Sequence, residues 1–273
     1  MQSEKAQEGD SMTQLSVQNV SKYYGSMAAV SNLSFDVQDG EVLGIGGPNG
    51  AGKTTLFDVI SGLTPASEGK ILLDGVNVIG ARPDQICHRG LLRTFQLNAG
   101  FDTMTLRENV LISCYFGRQN VVAPGLGFDR ETRRRADRAI EMVGLSQFAD
   151  QRVGEAPVLH RKLLMLAGAI ACDPRILLMD EPAGGLSPQE IEQVIGLMRE
   201  LRAELNLTIV LIEHVMRFFV ALSDRVMIMH HGEKIYEGAP SGLLTDRTVI
   251  DVYLGEGASE RLKHLVEAEA AHA

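Results

Sequence analysis

Apolar residues follow two different spacings along this chain. From Leu15 onward, short apolar or alternating segments are separated by polar and glycine-containing turns, a pattern that predicts β-strands. These segments are LSVQNV, VSNLSFDV, EVLGI and KILLDGVNV, followed much later by the hairpin-like VMIMHHGEKIYEG. Two further segments, ILLM and LTIVLI, are continuously apolar, which is typical of strands buried on both faces of a parallel sheet.

Helical spacing is clearest over residues 188–205, where the apolar side chains fall on one face. These side chains belong to Ile191, Val194, Ile195, Met198, Leu201 and Leu205. Ser187 and Glu190 form a capping box around a proline at the first helical position, which marks the start of this helix.

Other helices are expected to open at Lys53 and to cover 214–222. Residues 97–170 are mostly helical in pattern, with a weak loop near 121–128. The strands and helices on either side of this stretch alternate, so the sequence predicts an α/β core interrupted by a helical insertion.

The composition narrows the class of protein. The 273 residues are 45% apolar and 22% charged, which fits a globular chain with a large core and argues against disorder. The formal net charge of −9 argues against a protein that coats nucleic acid. Three cysteines, none in a CxxC pair, supply neither a disulfide framework nor a metal knuckle, and a reducing compartment is expected.

The sequence contains no candidate for a membrane-spanning helix. Its longest apolar run is only 163–172, whereas a bilayer requires about twenty residues. Residues 1–13 are polar and acidic and are expected to form a disordered leader. Any membrane role is therefore expected to be peripheral.

A glycine-rich loop between a predicted strand and a predicted helix satisfies G-x-x-x-x-G-K-[ST]. Its glycines let backbone N–H groups point at phosphate oxygens at the positive end of the helix dipole. Lys53 would bridge the β- and γ-phosphates, and the Thr54 hydroxyl would ligate Mg²⁺. A glycine turn that merely caps a helix is the simpler alternative. The candidate nucleotide-binding residues are Gly47, Asn49, Gly50, Ala51, Gly52, Lys53, Thr54 and Thr55.

Two carboxylates end the apolar strand ILLM. Asp180 is predicted to hold Mg²⁺ through water, and Glu181 to accept a proton from the attacking water. Alone, this pair is explained about as well by a turn that starts a helix. Together with a phosphate loop in the same sheet, it favours a nucleotide-hydrolysing site.

With these two motifs, the sequence resembles the nucleotide-binding subunit of ATP-binding cassette (ABC) transporters over residues 14–256. The resemblance implies a P-loop NTPase parallel sheet with an N-terminal antiparallel β subdomain and an inserted α-helical subdomain. The core would comprise 14–96 and 171–256, the helical subdomain 97–170, and a C-terminal tail 257–273.

The resemblance also implies roles for single residues. Tyr24 in SKYYG matches the aromatic that stacks on adenine, with Tyr23 as the neighbour that would substitute. Gln96 in RTFQ matches the glutamine that senses Mg²⁺ and the γ-phosphate and touches the membrane partner. His214 matches the histidine that contacts the γ-phosphate and helps place the catalytic water, although alone it would be an ordinary histidine at a helix start. The implied catalytic residues are Glu181, His214 and Lys53, and the implied metal ligands are Thr54, Gln96 and Asp180.

Finer features narrow the resemblance to the ATPase subunits of branched-chain amino acid importers, and to the longer of the two. They are RGLLRTFQ, MDEPAGGLSP, VLIEHVM and DVYLGEG. The implied function is ATP hydrolysis that energises uptake of amino acids or similar small solutes, with ATP and Mg²⁺ as cofactors. The implied partners are a second ABC ATPase subunit, two transmembrane permease subunits and, indirectly, a solute-binding protein, at the cytoplasmic face of the inner membrane. No nucleic-acid partner is expected.

One departure from the family pattern carries information. The signature, LSGGQ or a close variant, would fall on Ala156–Pro157–Val158–Leu159–His160, which keeps neither the serine nor either glycine. In the family, this segment holds the γ-phosphate of the ATP that is bound to the opposite subunit. Pro157 lacks a hydroxyl and an N–H, and Leu159 is bulky where the backbone must approach closely. The expectation is an asymmetric heterodimer whose one competent site uses the catalytic residues of this chain and the intact signature of its partner.

Two other functions are kept as alternatives. The degenerate signature would also suit a nucleotide-binding regulator with little turnover, although Glu181 and His214 weigh against it. A chromosome-maintenance ATPase on the same cassette is disfavoured, because an insertion of about 60 residues without long heptads is too short for a coiled-coil arm. The arginines at 133–135 are expected to form a solvated helix face, with a contact to a partner or to lipid headgroups as the alternative.

Overall fold

The computed structural model describes residues 13–94, 100–118 and 127–254. Its strands are β1 (Thr13–Tyr24), β2 (Met27–Gln38), β3 (Val42–Gly46), β4 (Glu68–Leu73), β5 (Val76–Asn77), β6 (Leu91–Thr94), β7 (Ile176–Asp180), β8 (Thr208–Ile212), β9 (Arg225–His230) and β10 (Glu233–Gly238). Its longer helices are α1 (Lys53–Ile60), α2 (Pro83–Cys87), α3 (Leu106–Arg118), α4 (Arg130–Met142), α5 (Val158–Ala171), α6 (Pro188–Leu205) and α7 (Met216–Leu222). The short α8 (Arg247–Val249) runs directly into a π-helical turn, Ile250–Leu254.

The first strands form an antiparallel sheet in the order β2-β1-β4-β5. Along β1 the side chains of Leu15, Val17 and Val20 are buried, while Gln18 and Asn19 are exposed. The polar Gln14 and Ser16 are buried as well, so β1 departs from strict alternation, but its apolar side chains join one core cluster. The sheet therefore presents one apolar face to the rest of the protein.

The second sheet has the order β10-β9-β3-β8-β7-β6. Strands β9, β3, β8, β7 and β6 run parallel, and only the hairpin partner β10 is antiparallel. Every residue of β3, β7 and β8 is buried, as the continuously apolar sequences of β7 and β8 predicted for those two strands. Parallel strands end at the same edge, so the segments that follow β3, β7 and β8 converge there.

Helix α6 has the boundaries that the sequence predicted. Ser187 accepts a hydrogen bond from the Glu190 N–H, and the Glu190 carboxylate accepts one from the Ser187 N–H, which completes the capping box. Asn206, in the left-handed conformation with φ +49°, ends the helix. The helix after β8 differs from the prediction, because it begins at Met216 rather than at residue 214.

Helices α3, α4 and α5 pack against one another within the stretch that was predicted to be mostly helical. Their shared core contains Leu106, Val110, Ala136, Ala139 and Leu163, all buried.

The arginines of α4 behave as a solvated helix face. Arg133 and Arg134 are exposed and Arg135 is half-buried. Arg134 and Arg135 both bond Glu131 on their own helix. No helix in the part of the chain that the structure describes has the length and apolar character to span a bilayer.

Candidate nucleotide-binding and hydrolysis site

The phosphate loop between β3 and α1 requires glycine at two positions. Gly47 has φ +141°, and a Cβ built on it would lie 2.2 Å from the Met229 carbonyl oxygen. Gly52 has φ +99°, and its Cβ would lie 2.1 Å from the Ala29 carbonyl oxygen. Neither the dihedral angles nor the space admit a side chain, so the backbones of β2 and β9 fix the path of the loop.

The turn between β9 and β10 also holds the phosphate loop. The N–H of Gly232 donates to the Ala51 carbonyl at 3.0 Å, and the Gly232 carbonyl accepts from the Ser31 N–H at 2.9 Å. The loop is thus bonded to a backbone that itself bridges the two sheets. This fixes the loop before any ligand binds.

Lys53 lies at the first turn of α1 and curls back over the loop. Its Nζ donates to the carbonyl oxygens of Gly47 at 2.7 Å and of Pro48 at 3.0 Å. Burial lowers the pKa of the Lys53 ammonium, and the nearby carboxylates of Glu181 and Asp180 oppose that shift. The ammonium is therefore a desolvated cation at the centre of the loop, where it acts strongly on an anion.

A cavity of about 430 Å³ opens above the phosphate loop. Its lining comes from β1, β2, the phosphate loop, the start of α1, the segments after β7 and β8, and the turn between β9 and β10. The residues are Tyr24, Met27, Ala28, Ala29, Asn49, Gly50, Ala51, Gly52, Lys53, Thr54, Thr55, Glu181, His214 and His231. The volume suits a small-molecule ligand.

Of the two adjacent tyrosines, Tyr24 lines this cavity and Tyr23 does not. Tyr24 is 47% exposed, and the Lys22 ammonium lies 4.9 Å from the centre of its ring. The lysine covers part of the ring in a cation–π contact. Gln96, which the sequence placed in the same site, lies outside the described residues.

Glu181 and His214 form a pair in the cavity. The Nε2 of His214 lies 3.2 Å from the Oε1 of Glu181, and both side chains are about one-third exposed. Glu181 has φ +50°, a left-handed conformation that is unusual for a residue other than glycine. Strained backbone of this kind persists where the surroundings enforce it, and it often marks a functional site. In this arrangement the two side chains can orient a water molecule, and the Glu181 carboxylate can accept a proton from it.

Asp180 is buried at the end of β7. Its Oδ2 accepts a hydrogen bond from Arg93 at 2.9 Å, whereas its Oδ1 is buried and has no hydrogen-bond partner among the described residues. A buried carboxylate oxygen that lacks a donor is suited to a hard cation or to its water shell. Thr54 lines the cavity and Asp180 is not among its lining residues, but the hydroxyl and carboxylate oxygens of the two residues are of the type that Mg²⁺ prefers.

Sequence reasoning missed two charged groups that support the site. Arg93 is buried and bonds both Asp180 and Asp58, the latter at 2.5 Å. Glu213 is buried, and its carboxylate accepts hydrogen bonds from the N–H groups of Ala183, His214 and Val215. A sequence signal existed for both residues, because Arg93 belongs to RTFQ and Glu213 directly precedes His214.

The segment at the signature position opens α5. Pro157 is the residue before the first turn, and no side chain caps this helix end. Val158 is 41% exposed, and the His160 ring lies 4.2 Å from the Phe148 ring. Residues 156–160 thus contain neither a serine nor a glycine, and the Arg161 guanidinium at the same helix start bonds the carbonyl oxygens of Ala156 and Gly154.

Comparison with known proteins agrees with this architecture. The ABC transporter family profile matches residues 30–184. The chain is 34% identical to the high-affinity branched-chain amino acid transport ATP-binding protein BraF of Pseudomonas aeruginosa, over 89% of this chain and 98% of that protein. It is also 34% identical to LivG of Escherichia coli K12, a protein with the same description, over the same shares of the two chains.

Solved structures give the same answer at the level of the fold. A nucleotide-free ATP-binding cassette from an ABC transporter superposes with a TM-score of 0.82 at 30% identity, over 90% of this chain and all of that one. The ADP conformation of an ATP-binding cassette gives the same values. The resemblance and the fold class that the sequence predicted are both confirmed. A phosphate loop, a strand that ends in two carboxylates and a histidine facing the second of them thus occur together in a chain that belongs to the ABC transporter family.

Proposed function

We propose that this chain binds and hydrolyses ATP as the energy-coupling subunit of an importer for amino acids or similar small solutes. The observation that carries the proposal is the cavity in which Tyr24, the phosphate loop and the Glu181–His214 pair meet. The printed names of the relatives favour branched-chain amino acids as the solutes. Peripheral attachment to the cytoplasmic face of the inner membrane follows from the same role.

Each residue of the site has a defined task in this proposal. Tyr24 stacks on adenine, and the loop amides with Lys53 hold the phosphates. Mg²⁺, held by Thr54 and Asp180, would neutralise charge on the phosphates. Glu181 orients the attacking water and takes its proton, and His214 holds the Glu181 carboxylate and faces the transferring phosphoryl group. Gln96 is proposed to complete the site.

An apolar groove offers a place for the membrane partner. It has a volume of about 400 Å³ and lies between β6 on one side and helices α3 and α5 on the other. Its apolar walls come from Leu92, Ile112, Phe116, Leu164 and Met165. We propose that a short helix of a permease subunit docks here, where closure of the nucleotide site moves the helices against the core. Gln96, which the resemblance assigns to contact with the membrane partner, follows β6 in the sequence, and this supports the proposed docking site.

The degenerate signature shapes the proposed assembly. The segment that opens α5 has neither the serine hydroxyl nor the glycines of the family signature, so a homodimer would have two incomplete sites. With a partner ATPase whose signature is intact, the ATP on this chain meets a complete site, while the ATP on the partner does not. We propose this asymmetric heterodimer.

The decisive experiment is steady-state ATPase activity of the chain alone and in complex with its partner ATPase, with Glu181→Gln in each. Activity that appears only in the complex and is lost in E181Q supports the proposal. Brisk hydrolysis by the chain alone contradicts the asymmetric assembly. If neither the chain alone nor the complex hydrolyses ATP, although ATP still binds, the alternative of a nucleotide-binding regulator is favoured. Uptake of radiolabelled leucine by the reconstituted assembly tests the class of solute.

A further inference from the structure

A lysine from helix α5 reaches the loop that carries Glu181. The Nζ of Lys162 donates to the backbone carbonyl oxygen of Glu181 at 2.9 Å. That carbonyl also accepts from the Gly184 N–H at 3.3 Å, and the Glu181 N–H donates to the Ile212 carbonyl at 2.9 Å. Both backbone polar groups of Glu181 are therefore bonded, the N–H to the sheet and the carbonyl to α5.

Glu181 needs this support because of its backbone conformation. With φ +50° it occupies a region that costs a non-glycine residue free energy, and only contacts from outside keep it there. If the peptide relaxed, its carboxylate would turn away from the cavity and from His214. A hydrogen bond from a cation to the carbonyl is among the stronger contacts available for this purpose.

The surroundings show that the Lys162 ammonium is placed rather than merely exposed. Burial lowers its pKa, and the carboxylates of Glu213 and Glu181 oppose the shift. Glu213 is 1% exposed and binds the Ala183 N–H at 2.8 Å. The buried Glu213 carboxylate and the desolvated Lys162 ammonium thus bond two backbone groups of the same short loop, the Ala183 N–H and the Glu181 carbonyl.

Helix α5 also carries the signature segment at its start. Val158 and Lys162 are one turn apart on α5, and both face the loop: a Cβ at Gly185 would lie 3.9 Å from Val158, and one at Gly184 would lie 3.9 Å from the Lys162 Nζ. A displacement of α5 relative to the sheet therefore moves the Lys162 ammonium relative to the Glu181 carbonyl. Both contacts lie within one chain.

We propose that Lys162 is a positioning residue for Glu181, which links the position of the signature helix to the orientation of the catalytic carboxylate. The inference rests on the proposed function, because it assigns Lys162 a part in the same hydrolysis. It acts through the backbone of Glu181 and not on the nucleotide. The chain hydrolyses ATP efficiently only while α5 lies close enough for this bond.

The test compares Lys162→Met, Lys162→Arg and the surface control Lys70→Met in the complex with the partner ATPase. Lys70 lies exposed on β4 and is not among the residues that line the cavity. We expect K162M to lower kcat about 10- to 100-fold, since a charged hydrogen bond is lost, with KM for ATP changed less than about threefold. K162R, which still donates to a carbonyl, should recover most of kcat, and K70M should match the unmodified protein.

A second measurement separates positioning from general damage. Hydrogen exchange in the isolated chain should accelerate in K162M at the amides of Ala183 and Gly184, and remain unchanged in β3 and β8. An unchanged kcat in K162M overturns the inference. So does a loss in kcat matched by an equal rise in KM and by faster exchange throughout the fold. E181Q run in parallel keeps the two proposals apart: an active E181Q refutes the proposed function, whereas an inactive E181Q beside a fully active K162M refutes only the role of Lys162.

Discussion

Replacement of Arg93 by methionine removes the cation that two carboxylates share in the core. The Arg93 side chain is 6% exposed, that of Asp180 is 5% exposed, and that of Asp58 is 30% exposed. In R93M, the Asp180 Oδ2 loses its arginine donor, while its Oδ1 already lacks a partner within the part of the chain that the structure describes. The variant therefore leaves the buried Asp180 carboxylate without its hydrogen-bonded cation, and the Lys53 ammonium remains as a nearby charge.

The size of the effect follows from that burial. Breaking a buried ion pair by removing one partner costs about 3–5 kcal/mol. For a domain of this size, each kcal/mol lowers Tm by about 2–4 °C, so R93M should melt roughly 6–20 °C below the unmodified protein. Asp58→Asn is the matched comparison. Because Asp58 is the more exposed of the two carboxylates, D58N should cost only about 1 kcal/mol.

The assay is thermal unfolding of the three proteins with and without Mg²⁺ and ATP. If Asp180 takes part in holding Mg²⁺, the cation partly replaces the missing arginine charge, and ligand should raise the Tm of R93M by more than it raises the Tm of the unmodified protein. A Tm for R93M within about 1 °C of the unmodified protein would refute the assigned weight of this pair. An equal or larger loss in D58N would show that Asp58, not Asp180, is the principal partner.

Three further outcomes are expected. Gly52→Ala should weaken ATP binding at least tenfold in a fluorescent-nucleotide titration, because its Cβ would lie 2.1 Å from the Ala29 carbonyl oxygen at φ +99°. Tyr24→Ala should raise the Kd for ATP about five- to tenfold while Tyr23→Ala leaves it unchanged, since stacking contributes about 0.5–1.5 kcal/mol. Burial raises the pKa of Tyr253 to about 12, so its neutral form is favoured by folding, and the stability that it adds below pH 10 is lost as pH rises from about 10 to 12. In urea denaturation, the free energy of unfolding should decrease less between pH 9 and pH 11.5 in Tyr253→Phe than in the unmodified protein. Equal decreases in the two proteins would contradict the role given to Tyr253.

The parts of the fold that the sequence predicted depend on contacts close in the chain or on a strong repeating pattern. The capping box at Ser187 and Glu190 spans three residues, and the one-sided apolar pattern of α6 needs only its own sequence. Strands β7 and β8 were predicted because an unbroken apolar run has few other places to lie. The phosphate loop was predicted because its chemistry depends on consecutive residues.

The remainder of the site depends on contacts that no local pattern encodes. Arg93 and Asp180 are separated by 87 positions, and Lys162 reaches Glu181 across 19. The two residues of each contact belong to different parts of the fold. The sequence predicted the strands and helices but not which of their side chains would meet. The sequence assigned the adenine position to Tyr24 with Tyr23 as the possible substitute, and of these two the structure places Tyr24 in the cavity lining.

The backbone bonds at Gly232 bear on how this chain tolerates insertions and deletions. Its N–H is bonded to Ala51 in the phosphate loop and its carbonyl to Ser31 in the antiparallel sheet, so the length of the β9–β10 turn is tied to the nucleotide seat. The turn at Gly75 has open space around it and no such bonds to the loop. Insertions and deletions should therefore be common among relatives at the Gly75 turn and rare at the Gly232 turn. An engineered tag should be inserted at Gly75.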